Sequence, residues 1–278
     1  REIGSVIQLT LLALVILPVL PNKSSGPYHV FNPFHTWLMV VLIVGISVGG
    51  YMSYKLLGSR VGTLLSGILG GVISSTATTV SHARVSSKQP NTGALGAIVI
   101  MIASTIVFRV SLEVLVVGPE ILPHLAPLLI IMVLVMGSIC IFLYVTGLHE
   151  KSVLLPDEDP SNLKAAVIFG VLYVAVLFAV AVAEEHFSDK GLYLVAGLSG
   201  LTDMDAITLS VINLINSEQL NLDTGCRMIL VGALSNLVFK GAIVAVLGSR
   251  SLFKRILFSV SLSIAAGILL VLLWPKIG

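Results

Sequence analysis

Residues 191–210 read GLYLVAGLSGLTDMDAITLS, and they align without a gap on residues 62–81, GTLLSGILGGVISSTATTVS. Glycine, leucine, alanine, threonine and serine positions recur: Gly62, Leu65, Leu69, Gly71, Ala77, Thr79 and Ser81 all have identical partners. A second block follows in the same order, where 92–93 match 224–225 and STIVFR at 104–109 matches SNLVFK at 235–240. Because both blocks occur in the same order in the two halves of the chain, they predict an internal repeat. We therefore divide the chain into a first helix with its connector (1–30), repeat 1 (31–150) and repeat 2 (151–278).

The composition places these repeats in a membrane. The 278 residues are 56% hydrophobic and only 11% charged, with a mean hydropathy of +1.04. A water-soluble globule cannot bury so large an apolar fraction, so the lipid bilayer is the expected surrounding. The net charge of +2 is small and dispersed, which gives no reason to expect a nucleic-acid partner.

Apolar runs along the chain have the length of membrane-spanning helices, which need about 20 residues to cross ~30 Å of hydrocarbon. We count about nine: residues 5–20, 36–57, 61–83, 92–117, 124–147, 162–184, 190–213, 224–247 and 252–274. The predicted fold is an all-α, polytopic transmembrane bundle with two internal repeats. If each repeat holds four helices, the halves run parallel about an axis along the membrane normal, whereas a miscounted segment would make them inverted.

The beginning and the middle of the chain carry two further signals. The chain opens with Arg1-Glu2, and its first apolar run is short and ends in Pro18 and Pro21. We interpret this start as cut from a longer polypeptide, with a signal peptide as the alternative. The acidic residues 157–159 are expected to form a solvated connector between the halves.

The repeated segments also contain polar residues where hydrocarbon tolerates them least. Asp203 and Asp205 lie near mid-span, and a charged aspartate at a helix centre costs roughly 2.5–3.5 kcal/mol on insertion scales. Such residues normally face a cavity, pair with a cation or carry protons. Hydroxyl groups accompany them at Ser74, Ser75, Thr76 and Thr208. Carboxylate and hydroxyl oxygens are hard ligands suited to Mg²⁺, Ca²⁺, Mn²⁺ or Na⁺, so Asp203 and Asp205 are the candidate metal ligands.

The spacing of the two aspartates raises a geometric question. In a regular helix, residues two apart point about 200° away from each other, so both face one site only if the backbone unwinds. Gly197 and Gly200 permit such a break, and they equally permit close helix packing. The hydroxyls have a structural alternative too, since serine and threonine often bond back to the preceding turn.

Basic and amide residues recur in the second block. Asn236 and its repeat mate Thr105 are candidates to line a polar path, about one turn from the possible charge partners Lys240 and Arg109. Arg109 has Glu113 four residues later, a spacing that allows an intrahelical ion pair, or both side chains reach the interface. Lys240 is an alternative counter-ion for an aspartate. Because Lys240 and Arg109 recur at equivalent positions, an anion path is a further alternative interpretation.

Short motifs in this chain resemble a bacterial membrane family known as domain of unknown function four-thousand-and-ten. They are LPVLP at 17–21, NP at 32–33 before Trp37, GGY at 49–51, GGVISSTATT at 70–79 and GLTDMDAITLS at 200–210. The resemblance spans nearly the whole chain. It implies a multi-pass protein of the bacterial inner membrane, often fused to an N-terminal MgtC/SapB-type domain. That fusion partner's link to magnesium homeostasis implies divalent-cation handling.

These features favour a transporter or channel-like protein for an inorganic cation, with its site at the bilayer midplane between the repeats. A non-transporting membrane subunit that binds or regulates a partner is the first alternative. The second is an intramembrane enzyme using two acids, which the positions of both acids on one helix disfavour. No catalytic motif or cofactor fingerprint supports an enzyme. The glycine-rich faces allow a homodimer.

Overall fold

The computed structural model describes residues 2–57, 63–88, 109–146, 163–186 and 189–273. Within these ranges the chain folds into ten α-helices, which confirms the all-α prediction there. They are α1 Glu2–Thr10, α2 Pro33–Leu57, α3 Thr63–Lys88, α4 Val110–Val117, α5 Leu122–Thr146, α6 Leu163–His186, α7 Asp189–Thr202, α8 Met204–Asn216, α9 Leu222–Leu247 and α10 Arg250–Leu273. A π-helical turn, Leu11–Ile16, and a 3₁₀ turn, Leu17–Val19, follow α1.

Three helical segments in the described ranges are long and apolar enough to cross a membrane. They are Pro119–Ile139, Leu222–Leu247 and Arg250–Leu273. In the last of these the mean hydropathy is 2.7, yet only 28% of the most apolar window is buried inside the protein. An apolar helix that leaves most of its surface uncovered needs a non-aqueous surrounding. These helices suggest a multi-pass membrane protein.

The apolar run at 190–213 counts as one span in the sequence, but it folds as two helices. α7 ends at Thr202, α8 begins at Met204, and Asp203 between them has an extended backbone with φ −153° and ψ 119°. Of the run at 92–117, the described part is its end, which includes α4. Thr105 therefore lies outside the described residues, as does the acidic connector at 157–159.

Helix α9 lies at the centre of the bundle, packed against α3, α7, α8 and α10. Along α9, Gly225 faces Ile215 of α8, and Gly232 faces both Ile207 of α8 and Ala196 of α7. The order of these contacts runs opposite to the chain direction of α7 and α8. The broken pair α7–α8 therefore lies along α9 as one interrupted, antiparallel helix.

The opposite side of the broken pair is covered by α6 and α4. α6 packs on both α7 and α8, and Ser210 of α8 donates a hydrogen bond to the Tyr173 carbonyl of α6. α4 packs on α8, where Asn216 Nδ2 donates to the Val117 carbonyl at 2.9 Å. The junction between α7 and α8 is thereby enclosed by helices.

Candidate functional site

The break at Asp203 is built by its own side chain. Asp203 Oδ1 accepts hydrogen bonds from the backbone N–H groups of Asp205 at 2.8 Å and Ala206 at 3.1 Å. These are first-turn donors that a helix leaves without an internal partner. Asp203 N in turn donates to the Ser199 carbonyl at 2.8 Å, which closes the last turn of α7. One residue thus ends α7 and caps α8.

Helix α3 contains a second interruption. Ser74 has φ −158° and ψ 102° inside an otherwise helical segment. In the alignment of 62–81 with 191–210, Ser74 stands opposite Asp203 and Thr76 stands opposite Asp205. The two aligned stretches therefore break at the same place. An extended residue inside a helix leaves carbonyl groups of the preceding turn without their helical N–H donors. The carbonyl of Val72, two residues before Ser74, accepts a hydrogen bond from a partner in another part of the chain.

That partner is Arg109, whose guanidinium is buried and joins three helices. Nη1 donates to the Val72 carbonyl of α3 at 2.7 Å. Nε donates to Asp205 Oδ1 of α8 at 3.2 Å, while Nη2 forms a close ion pair with Asp205 Oδ2. This is the two-pronged geometry in which arginine binds a carboxylate most strongly. Arg109 therefore holds the region of the α3 break against the first turn of α8.

Two more buried charged side chains lie beside this pair. Glu113 of α4 is fully buried and is faced by Asp205, Arg109 and Asp203. Lys240 of α9 is also fully buried and is faced by the same three residues. Lys240 Nζ has no hydrogen-bond partner in the described part of the chain, whereas the Glu113 carboxyl lies within hydrogen-bond reach of the Asp205 carboxyl. Three carboxyls and two basic groups thus share one interior region, which we call the charged cluster: Arg109, Glu113, Asp203, Asp205 and Lys240.

The uncharged site residues predicted from the sequence are distributed around this cluster. Asn236 is buried, and its Nδ2 donates to the Gly200 carbonyl at 2.9 Å, so it clamps α9 to the last turn of α7. Thr208 is buried on α8, and its hydroxyl has no partner among the described residues. Ser74, Ser75 and Thr76 are half-buried at the α3 break.

Glu113 belongs to the charged cluster, although the sequence indicated for it only a local ion pair with Arg109 or a position at the membrane interface. Its signal was a carboxylate inside an apolar run, one turn from an arginine. Regarding metals, the described residues contain no group of three or more His, Cys, Asp or Glu side chains placed to hold an ion.

Removing the cap at the break is expected to destabilise α8. Asp203→Ala leaves two N–H groups without their acceptor, so the free energy of unfolding should fall by about 0.5–2 kcal/mol. Asp203→Asn retains a capping oxygen and should cost much less. Thermal unfolding in detergent micelles measures both.

Asn221, which caps α9 through a hydrogen bond from Asp223 N at 2.9 Å, provides the matched control. Asn221→Ala should lower stability by a similar amount because it removes the same kind of cap without touching the charged cluster. Equal losses in Asp203→Asn and Asp203→Ala would show that charge, and not capping, is what Asp203 contributes.

The described residues form a helical bundle with three candidate membrane spans and a charged interior, and comparison with known proteins gives its family. The chain belongs to the family described as "Domain of unknown function (DUF4010)", whose model matches residues 41–248. It is also 29% identical over 229 residues to an uncharacterized protein of Aquifex aeolicus (strain VF5), covering 81% of this chain and 98% of that protein. No solved structure matches.

Proposed function

We propose that this chain is a transporter of the bacterial inner membrane for a small inorganic cation, Mg²⁺ or a similar divalent ion. The observation that carries the proposal is the charged cluster at the break of an interrupted helix inside an apolar bundle. The cation would bind at Asp205 and Asp203, with hydroxyl and carbonyl oxygens of the α3 break on the other side.

Energetics argue that the charged cluster serves a function rather than stability. Replacing a buried ion pair by well-packed apolar residues is often neutral or stabilising by about 1–4 kcal/mol. The cluster goes further, because Lys240 is fully buried with no hydrogen-bond partner in the described ranges, and Glu113 is fully buried beside Asp203 and Asp205. Charged groups kept at such a cost inside a membrane bundle commonly mark ion pathways.

The two interrupted helices support a site between two related halves. Under the repeat, α2 corresponds to α6, α3 to α7–α8, and α5 to α10, while α4 ends the counterpart of α9. In the structure, α2 packs on its counterpart α6, and α5 packs on its counterpart α10. The contact between α3 and α9 likewise has a counterpart in the contact between α8 and α4. A two-fold relation between halves would produce this pattern. Transporter sites commonly lie where discontinuous helices of two repeats meet.

The chemistry of the donors fits a partly hydrated ion. Mg²⁺ usually keeps several waters and is bound through one or two carboxylates. Both Asp205 oxygens are engaged by Arg109, and the guanidinium would repel a divalent cation beside it, so we infer that the cation displaces the guanidinium. Arg109 thereby acts as an internal competitor that closes the site until a cation takes its place. An N-terminal MgtC/SapB-like domain and a second copy of this chain are the partners that we propose.

A flux assay tests the proposal. Protein in liposomes should move at least one cation of a panel of Mg²⁺, Mn²⁺, Ca²⁺, Zn²⁺, Na⁺ and protons. Asp205→Asn should reduce that flux by about tenfold or more, since the loss of a ligand charge weakens cation binding by more than 1.4 kcal/mol. The lipid-reconstituted variant must first be shown to be folded.

Asp223→Asn is the matched control. Asp223 pairs with Arg227 four residues later on α9, at 3.2 Å and away from the charged cluster. Its amide variant should transport like the wild type. Unchanged flux in Asp205→Asn would contradict the aspartate site, and a wild-type protein that moves no ion of the panel would contradict transport.

The second candidate function is a non-transporting membrane subunit that binds or regulates a partner. The Arg109–Asp205 pair favours it, because a two-pronged ion pair that joins α3, α4 and α8 also fixes a unique packing. In that case the wild type would move no cation, and Asp205→Asn would alter stability and partner binding only.

A further inference from the structure

A cavity of about 380 Å³ opens where α6 and α8 end, at the other end of α8 from the break at Asp203. Its walls come from α6, from the end of α8 and from a 3₁₀ turn, Pro27–His29. The described residues that line it are Tyr28, Val180, Ala181, Glu185, Leu214 and Gln219. Small-molecule sites commonly have volumes of about 300–1,000 Å³. None of these lining residues belongs to the charged cluster, so a ligand here would bind apart from the proposed cation site.

The wall that contains Tyr28 is held against α6. The Tyr28 hydroxyl lies 3.3 Å from His186 Nε2, and Ser25 N donates to the Phe31 carbonyl at 2.8 Å, which closes the loop around Tyr28. Tyr28 has φ 62°, in the left-handed region that favours glycine. Strain of this kind persists only where the surroundings impose it, and it clusters at ligand-binding sites. Because His186 engages the hydroxyl, the aromatic ring is the part of Tyr28 available to a ligand.

The wall at the end of α8 is shaped by a second residue in the left-handed region. Glu218 has φ 59°. Its N–H donates to the Ile215 carbonyl at 3.0 Å, and Gln219 N–H donates to the Leu214 carbonyl at 2.9 Å. This type of helix ending usually has glycine where Glu218 stands. The turn brings Gln219 back beside Leu214, so that both line the cavity.

The lining groups provide a negative charge and hydrogen-bond acceptors. Glu185 is exposed and is the single formal charge among the described lining residues. Neither its carboxylate nor the side chain of Gln219 makes a hydrogen bond or ion pair in the described ranges. Helices α6 and α8 both end here, and helix C-termini carry partial negative charge. A complementary ligand is therefore positively charged and carries a short apolar part.

We propose that this cavity binds a small organic ammonium ion. The ammonium group would pair with the Glu185 carboxylate and lie against the Tyr28 ring, since aromatic rings attract cations. It donates three hydrogen bonds, which the carboxylate and the Gln219 amide oxygen can accept. The alkyl part would pack on the apolar side chains of α6 and α8. A free amine and an aminolipid headgroup share this chemistry. The site is independent of the proposed cation transport.

Binding can be measured on the purified protein in uncharged maltoside micelles at pH 8, with n-butylammonium chloride as the probe. Sodium chloride at equal ionic strength controls for screening, and n-butanol controls for the apolar part of the probe. A ligand that binds only the folded state raises the unfolding temperature as its concentration increases. We expect butylammonium to raise the unfolding temperature saturably, and neither sodium chloride nor butanol to do so.

Single substitutions assign the effect to the cavity. Glu185→Gln removes the negative charge and should raise the apparent dissociation constant of butylammonium by about three- to tenfold. Tyr28→Leu should raise it by about two- to fivefold through loss of the ring, whereas Tyr28→Phe should bind like the wild type. Glu218→Gln is the matched control, because it removes an exposed carboxylate next to the cavity that is not among its lining residues. It should retain the full effect of butylammonium.

A lipid competition separates the two sources of the ammonium group. The titration is repeated in micelles that contain either phosphatidylethanolamine or uncharged diacylglycerol. Weaker butylammonium binding with phosphatidylethanolamine alone would identify an aminolipid headgroup as the occupant. Equal binding in both would identify a free amine.

Three results would overturn the inference. The first is a wild type that butylammonium stabilises no more than sodium chloride does. The second is butanol that acts as strongly as butylammonium, and the third is an effect that Glu185→Gln retains in full. The proposed transport function is tested separately, because the flux assay concerns Asp205 and not this cavity.

Discussion

Arg109→Met is expected to lower the free energy of unfolding by about 3–5 kcal/mol, the range for removing one partner of a buried ion pair. The substitution leaves Asp205 and Glu113 facing each other in the protein interior without the guanidinium. It also deprives the Val72 carbonyl at the α3 break of its donor. Equilibrium unfolding in mixed detergent micelles measures the loss.

A double variant tests whether the cost comes from unpaired charge. Arg109→Met combined with Asp205→Leu removes both members of the pair, so it should recover much of the stability lost by Arg109→Met alone. Arg109→Lys should not rescue, because an ammonium group cannot reproduce the two-pronged contact. Arg250→Met, at an exposed residue that begins α10, should change stability by less than about 0.5 kcal/mol.

Additive losses in the double variant would contradict the ion-pair interpretation. They would mean that Arg109 contributes mainly through the packing of its aliphatic part. The same variants then separate the two functional proposals. If the wild type moves a cation, loss of that flux in a stable Arg109→Met/Asp205→Leu protein would support transport through Asp205. If the wild type moves none, a stable double variant with altered partner binding would support the regulatory subunit.

The helical fold was predictable because hydrophobicity acts locally. A run of about 20 apolar residues must satisfy its own backbone hydrogen bonds in a membrane, whatever surrounds it. The position of the break between α7 and α8 was harder to predict. Asp203 is a favourable N-cap residue, but nothing within the apolar run 190–213 shows that capping prevails over continuing the helix.

The charged cluster shows where sequence reasoning stopped. The spacing of Arg109 and Glu113 indicated a local pair, since only intrahelical distances can be read from a sequence. The structure gives Arg109 to Asp205, which lies 96 positions further along the chain. Such a contact depends on how helices pack, and it left Glu113 as a buried carboxylate that the sequence alone did not identify as part of the site.

Glycine usage was ambiguous for a similar reason, because Gly197 and Gly200 suit either a break or close packing. The break falls at Asp203, and the two glycines differ in their surroundings. A Cβ added at Gly200 would lie 2.7 Å from the Gly232 Cα of α9, whereas one added at Gly197 would meet nothing within 4 Å. Gly200 therefore serves the close approach of α7 and α9.

Gly200→Ala is accordingly expected to destabilise the protein by at least about 1–3 kcal/mol, the usual cost of overpacking an interior. Backbone atoms of Gly232 cannot rotate away as a flexible side chain could, so α7 and α9 must separate. Their separation would stretch the Asn236–Gly200 hydrogen bond one turn from the break, and transport should fall with stability. Thermal unfolding and the cation flux assay measure the two effects.

Gly197→Ala is the matched control on the same helix and should be neutral or stabilising by up to about 1 kcal/mol, because alanine favours helix over glycine. The contrast between two alanines three residues apart isolates the steric contact from any general need for glycine. If both substitutions were neutral, α7 and α9 could not approach as closely as described. If both were destabilising, flexibility of the whole segment before Asp203 would be what the glycines provide.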